Sequence, residues 1–304
     1  MAIPEMLARD YDKRLVLGTV AAGGTLGILI PPSIPMILYG SITSDSVGDL
    51  FMAGVMPGLV LTAIFIVVFL IRFRHLPTQP PASWAERGAA LKHASWGLFL
   101  PLLVVGGIYT GIFTPTEAAA IGTVYSAVIT LVIYRTLTLK DFGEILADTV
   151  KTTTMIFAII IGAMLFGFVL TVLQIPQQLT EMVVAYETNR WLVFIAINLL
   201  LLFLGCFLET VSIILITLPI LYPIIVKLGF DPIWFCIIMV INMEMALITP
   251  PVGMNLFVLQ GLDPNHKMQD IVSGVLPFML AMVVMIGVLV AFPSLATWLP
   301  SILK

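Results

Sequence analysis

The sequence has 304 residues, of which 60% are hydrophobic and only 10% charged, and its net charge is −3. Because ordinary soluble domains carry about 25% charged residues, this composition excludes a soluble globular protein and predicts an all-α polytopic membrane protein. It shows no basic patch for nucleic acid, and its apolar runs favour packed helices over the alternating pattern of a membrane β-barrel.

Several apolar runs approach or exceed the length needed to cross a bilayer, which is about 20 residues for a core of roughly 30 Å. In chain order they are 15–42, 50–71, 96–113, 118–134, 152–173, 191–226, 233–259 and 275–295. Double prolines interrupt two of them, at Pro31-Pro32 and at Pro250-Pro251. Proline removes a backbone donor and clashes with the preceding turn, so both runs are predicted to be broken helices.

The double prolines belong to an internal repeat. LGILIPPS at 26–33 and MALITPPV at 245–252 place them 219 positions apart, and Tyr11-Asp12 and Phe230-Asp231 keep the same spacing. Broken helices in related copies are typical of secondary transporters. By this register, about 125 residues of the first copy are expected to be missing before Met1.

Positive charge predicts the sidedness of the runs, since cytoplasmic connections carry excess lysine and arginine. Basic clusters precede the first run and follow the second and the fourth, which puts Met1 in the cytoplasm. After a short interfacial helix at 176–186 on the outer side, the run 191–226 is too short for two crossings and has a polar middle. It is therefore predicted to be a re-entrant hairpin, so the second broken helix starts outside and the repeats are inverted.

These boundaries divide the chain into three parts. Residues 1–75 form the C-terminal part of the first inverted repeat, with a broken helix and one span. A cytoplasmic connection follows at 76–95. The second inverted repeat, 96–304, holds a helical pair, an arm helix, the hairpin at about 190–226, the broken helix at 233–259 and the last span.

Broken helices free backbone carbonyls that can coordinate a dehydrated cation. Around the second break the candidate carbonyls are those of Ala246, Thr249 and Val252, and Thr249 adds a hydroxyl. Near-equivalent places around the first break are Gly27, Ile30 and Pro32. A proline kink used only for packing is the alternative, which two related copies at matched depth disfavour.

Polar groups at membrane depth are candidates for a substrate cavity. Glu244 lies one turn before the second break, where a lone carboxylate is either functional or paired. Glu209 and Thr210 occupy the predicted hairpin tip, with a structural cap of the second hairpin arm as the alternative role. Ser33 and Asn255, beside the two double prolines, complete the set.

Enzyme motifs are absent from the sequence. The three histidines, His75, His93 and His266, form no metal-ligand spacing, and the sequence contains no nucleotide-binding loop or nucleophile elbow. The chain is therefore predicted not to be an enzyme and to need no cofactor. Glu117 follows Thr114 at the start of a helix and is predicted to cap it.

Four long motifs resemble the large membrane subunit of tripartite ATP-independent periplasmic (TRAP) transporters, the DctM type. They are AAGGTLGILIPPS, GIFTPTEAAAIG, ETVSIILITLPILYPI and NMEMALITPPVGMNLFVLQG, and the resemblance covers essentially the whole chain. It implies a multi-pass protein of the bacterial inner membrane: a sodium-driven secondary importer that works by an elevator motion. The implied substrate is an organic acid, such as a C4-dicarboxylate or sialic acid.

The resemblance also implies two partners, a small four-helix membrane subunit and a periplasmic substrate-binding protein. It adds Gly205 to the second sodium site, beside Ala246. The family usually has glycine at the position of Ala246. Two alternatives stay open: a stand-alone carboxylate carrier of the wider ion-transporter superfamily, and a membrane assembly subunit that does not transport.

Overall fold

The computed structural model describes residues 2–9, 11–73, 82–185, 189–262 and 267–302. Within these ranges all regular structure is helical, which confirms the all-α prediction. Backbone contacts divide the chain into two compact units. One unit consists of Met1–Leu76 together with Ile160–Lys304, and the other is Pro77–Ile159. This division follows contacts rather than the repeat, so the predicted repeat boundaries stay a prediction. His75, His266, residues 76–81 of the predicted connection and Tyr186 lie outside the described residues.

Fourteen α-helices are numbered here in chain order within the described ranges. The first seven are α1 (Ala2–Leu7), α2 (Lys13–Leu29), α3 (Ile34–Thr43), α4 (Val47–Phe73), α5 (Trp84–Tyr109), α6 (Pro115–Val128) and α7 (Leu139–Val172). A π-helical turn, Ile129–Ile133, continues α6. The others are α8 (Ile175–Ala185), α9 (Arg190–Gly205), α10 (Thr210–Lys227), α11 (Pro232–Leu247), α12 (Met254–Leu262), α13 (Met268–Ala291) and α14 (Ser294–Ile302).

Seven helical segments in the described residues are long and apolar enough to cross a membrane. They include the first broken helix, Lys13–Thr43, and α10, whereas α9 and α11 are shorter apolar helices. These segments confirm the polytopic prediction. The predicted hairpin appears as α9 and α10, which have 16 and 18 residues. At 1.5 Å per residue the two arms span roughly 24 and 27 Å, against an apolar core of about 30 Å, and the re-entry of this hairpin stays a prediction.

In the unit Pro77–Ile159, two helices begin at capping boxes. Ser83 and Glu86 cap α5, which therefore starts twelve residues before the predicted span at 96 and takes up most of the predicted connection. Thr114 and Glu117 form the second box at the start of α6, which confirms the capping role predicted for Glu117. Such boxes satisfy backbone donors that a helix start leaves without partners.

In the other unit, α11 is the buried centre. Every side chain from Trp234 to Ala246 is buried, and α11 contacts helices of both repeats, among them α2, α4, α9 and α13. A helix that is apolar all round is stable only when surrounded by other apolar groups. The sequence analysis missed α14, which packs on α4 and α11.

Both broken helices have the same construction. Asp12 caps α2 and Asp231 caps α11, each through its side-chain oxygen. Their helices end at Leu29 and Leu247, and α3 and α12 resume at Ile34 and Met254. Both proline pairs are joined by cis peptide bonds. The sequence repeat is thus also a repeat of helix starts and breaks.

The two broken helices run antiparallel, side by side. The Tyr39 hydroxyl near the end of α3 donates to the carbonyl of Pro232 at the start of α11, at 2.9 Å. At the other end, the Asn255 side-chain amide contacts the carbonyl of Ala21 in α2, at 3.5 Å. Residue numbers rise along one broken helix as they fall along the other, which is the arrangement predicted for inverted repeats.

Helices α2 and α13, by contrast, run parallel. Arg14 Nε lies 2.9 Å from Asp270 Oδ1, and one turn further the backbones meet at Gly18 and Gly274. A Cβ added to Gly18 would lie 2.1 Å from the Gly274 carbonyl oxygen, so only glycine allows this approach. The contact puts the starts of α2 and α13 on the same side, as expected if the second broken helix crosses the membrane.

Candidate functional site

The backbone carbonyls at the two breaks lack their helical partners for a simple reason. A helical carbonyl normally accepts the N–H four residues later. For Gly27 that residue is Pro31 and for Ala246 it is Pro250, and proline has no N–H to donate. Two predicted sodium ligands, Gly27 and Ala246, therefore occupy matching places in the two copies. The Ala246 carbonyl instead accepts a shorter-range bond from the Thr249 N–H at 3.2 Å.

The hairpin tip sits directly on the second break. A Cβ placed on Gly205, the last residue of α9, would lie 2.3 Å from the Cβ of Ala246. The Cys206 thiol lies 3.5 Å from the carbonyl of Pro250. The structure thus brings together Gly205 and Ala246, which lie 41 positions apart in the sequence.

Thr249, a predicted sodium ligand, is held in place by a hydrogen bond to the preceding turn. Its hydroxyl donates to the Met245 carbonyl at 2.6 Å, so the oxygen lone pairs remain available to a cation. Gly253 follows with a φ of +48°, and a Cβ there would lie 2.9 Å from the Thr249 carbonyl oxygen. Glycine therefore permits the turn beside that carbonyl. Val252 is 38% exposed at the same turn.

The first break is more open at Gly27, which is exposed, than the second is at Ala246, which is buried. Ile30 is 39% exposed and Pro32 is also exposed. No atom of the described chain lies within 4 Å of where a Cβ would stand on Gly27. The hairpin tip therefore covers Ala246 of the second set, whereas Gly27 of the first set is uncovered by the described residues. Ile30 and Val252 are about equally exposed, at 39% and 38%.

Glu244 is fully buried, at 0% exposure. Its carboxyl group approaches the backbone amide of Leu29, the last residue of α2, but neither oxygen reaches hydrogen-bond geometry with a described residue. Glu244, on the turn before the second break, thus lies near the end of α2, before the first break.

The other cavity candidates lie at both breaks and at the hairpin tip. Ser33 is buried beside the first break, and its hydroxyl has no described partner. Thr210 is buried at the first turn of α10, and Glu209 is half-buried at the cap position without a capping side-chain bond. Asn255 joins α12 to α2.

A pair of side-chain amides, the half-buried Asn198 and the buried Asn242, joins the hairpin to α11, and the sequence analysis did not assign it. The Asn242 side-chain amide donates to the Asn198 side-chain carbonyl of α9. Asn198 in turn donates to the Phe194 carbonyl at 2.7 Å. The signal was present, because Asn198 is a polar residue within an otherwise apolar run.

Comparison with known proteins identifies the family. The model of the tripartite ATP-independent periplasmic transporter, DctM component, matches residues 1–295. The chain belongs to the DctM family. It is therefore a large permease component of the TRAP type and a multi-pass protein of the bacterial inner membrane, as the resemblance predicted.

Individual DctM-family relatives match along nearly the whole chain. The C4-dicarboxylate TRAP transporter large permease protein of Pseudomonas aeruginosa is 43% identical over 99% of this chain and 71% of its own length. Its counterpart in Vibrio cholerae is 40% identical over 100% of this chain and 72% of its own length. The sialic acid TRAP transporter large permease protein of V. cholerae is 36% identical over 99% of this chain and 71% of its own length.

Proposed function

We propose that this DctM-family chain is the transport subunit of a sodium-coupled importer of organic acids, with C4-dicarboxylates as the first class to test. The observation that carries the proposal is the contact between Gly205 and Ala246, which sets a hairpin tip against a carbonyl freed by proline. Relatives named for C4-dicarboxylates, at 39–43% identity, support the substrate class.

Sodium fits this site because dehydrated cations need oxygen ligands at fixed positions, and freed carbonyls supply them without a buried negative charge. The second site would use Gly205, Ala246, Thr249 and Val252, and the first would use Gly27, Ile30 and Pro32. A bound cation favours an anionic substrate nearby through direct attraction in a medium of low dielectric constant.

The substrate would bind between the two breaks, among Ser33, Glu209, Thr210, Glu244 and Asn255. Hydroxyl and amide groups there can donate to a carboxylate. Because the two broken helices are antiparallel, a pseudo-two-fold axis in the membrane plane would relate the two ion sites. This arrangement suits alternating access by an elevator motion of the hairpin and broken helices.

A periplasmic binding protein that delivers the substrate and a small four-helix membrane subunit complete the proposed transporter. The decisive experiment is uptake of a labelled C4-dicarboxylate into proteoliposomes that contain both membrane subunits. We expect uptake only with an inward sodium gradient and only with the binding protein. A potassium gradient of equal size is the control for membrane potential and osmotic effects.

Other outcomes assign the other functions. Sodium-driven uptake without any binding protein would make the chain a stand-alone carrier. Absence of uptake for C4-dicarboxylates, sialic acid and other carboxylates in the assembled complex would instead favour a subunit that does not transport.

A further inference from the structure

A cavity of about 680 Å³ lies between the amphipathic helix α8 and the end of α10, away from both helix breaks. Its wall carries a carboxylate, Glu181, and an ammonium group, Lys227. Gln177 and Thr180 add polar groups, and Tyr222 and Val226 add apolar surface. A volume of this size is in the range of small-molecule sites, about 300–1,000 Å³.

The two charged side chains are available to a ligand. Both are exposed, and neither belongs to a salt bridge among the described residues. An unpaired carboxylate and an unpaired ammonium in one cavity complement a ligand that itself carries a cation and an anion.

The position of the cavity indicates the source of that ligand. Lys227 is the last residue of α10, an apolar helix of 18 residues, and a lysine at the end of such a helix extends its ammonium to the lipid headgroups. Helix α8 has only 11 residues, and its amphipathic pattern suits a helix lying in the same interface. Val226, 47% exposed, presents apolar surface beside the charges.

We propose that this cavity binds phosphatidylethanolamine. Lys227 pairs with the lipid phosphate, and Glu181 accepts hydrogen bonds from the lipid ammonium. The free backbone carbonyls at the C-terminal end of α10 also attract the lipid ammonium. The acyl chains continue along the apolar flank at Val226. Phosphatidylglycerol has no cation for Glu181, and the quaternary ammonium of phosphatidylcholine has no N–H to donate, so both bind less well.

The test is mass spectrometry of the purified full chain under native conditions, with an equimolar mixture of the three lipids carrying identical acyl chains. We expect phosphatidylethanolamine to be retained about fivefold more than either competitor, the factor for one partly exposed ion pair. Glu181→Gln should remove that preference, and Lys227→Gln should weaken retention of all three lipids. Glu144→Gln and Lys140→Gln on α7, also exposed, are the matched controls and should change nothing.

Equal retention of the three lipids by the unchanged chain would overturn the proposal, as would a preference that survives Glu181→Gln. Soluble glycerophosphoethanolamine is added as a competitor in a further arm. It should fail to displace the lipid, and displacement would show that the cavity binds a free headgroup instead. None of these results depends on sodium-coupled uptake.

Discussion

Adding one methyl group at the hairpin tip tests the candidate sodium site most directly. In Gly205→Ala the new Cβ would lie 2.3 Å from the Ala246 Cβ, whereas carbon atoms in contact are about 3.5–4.0 Å apart. The tip and the break must therefore separate by more than about 1 Å, and overpacking of this kind costs about 1–3 kcal/mol.

If Gly205 and Ala246 both supply carbonyls to one ion, this separation weakens sodium binding. We expect the sodium concentration for half-maximal uptake to rise roughly tenfold, which corresponds to about 1.4 kcal/mol. The assay is a sodium titration of initial uptake in proteoliposomes, together with thermal unfolding of the purified chain. Gly287→Ala, where a Cβ has no neighbour within 4 Å, is the control and should change neither quantity appreciably.

A second substitution should rescue the first. Ala246→Gly removes the clashing Cβ, and the remaining neighbours of the new methyl group then lie at 3.6 and 3.7 Å. Glycine costs about 1 kcal/mol in a helix, so Gly205→Ala with Ala246→Gly should recover most of the sodium affinity. A sodium titration of Gly205→Ala identical to the unchanged protein, or a double variant no better than Gly205→Ala alone, would refute the reasoning.

Three further predictions concern the same unit. Thr249→Val keeps the shape but removes the hydroxyl oxygen, so it should raise the sodium requirement, and an unchanged titration would count against that ligand. Gly18→Ala places a Cβ against the backbone of α13 and should lower the unfolding temperature clearly below that of Gly287→Ala; equal temperatures would contradict the close approach. Asn198→Leu should destabilise by about 1–3 kcal/mol because the buried Asn242 amide loses one of its acceptors and keeps only the Ile238 carbonyl. Asn242→Leu added to it should cost less than the two single changes together, and strict additivity in thermal unfolding would argue against the pair.

The sequence alone was sufficient for features that depend on nearby residues. Composition requires a membrane protein, proline at positions 31 and 250 breaks two helices, and Glu117 marks a helix start. All of these follow from the chemistry of single residues or of neighbours within one turn. The spacing of the proline pairs also revealed the repeat, because equal spacing needs no knowledge of the fold.

Boundaries were less well predicted where polar helices extend apolar spans. The sequence analysis started the third run at 96, whereas α5 begins at Trp84, because the Ser83 capping box stabilises a polar first turn that a search for apolar runs ignores. The final helix, α14, has only 9 residues, so a search for long apolar runs does not find it, and its place is decided by packing on α4 and α11.

Only the tertiary structure decided which residues meet at the candidate site. It set Gly205 on Ala246, joined Asn198 to Asn242, and brought the buried Glu244 beside Leu29, more than 200 positions away. Such contacts depend on how antiparallel helices fit together, and this fit depends on the shapes of many side chains at once. Local patterns specify where each helix starts and breaks, and close packing around α11 then selects which oxygen atoms converge.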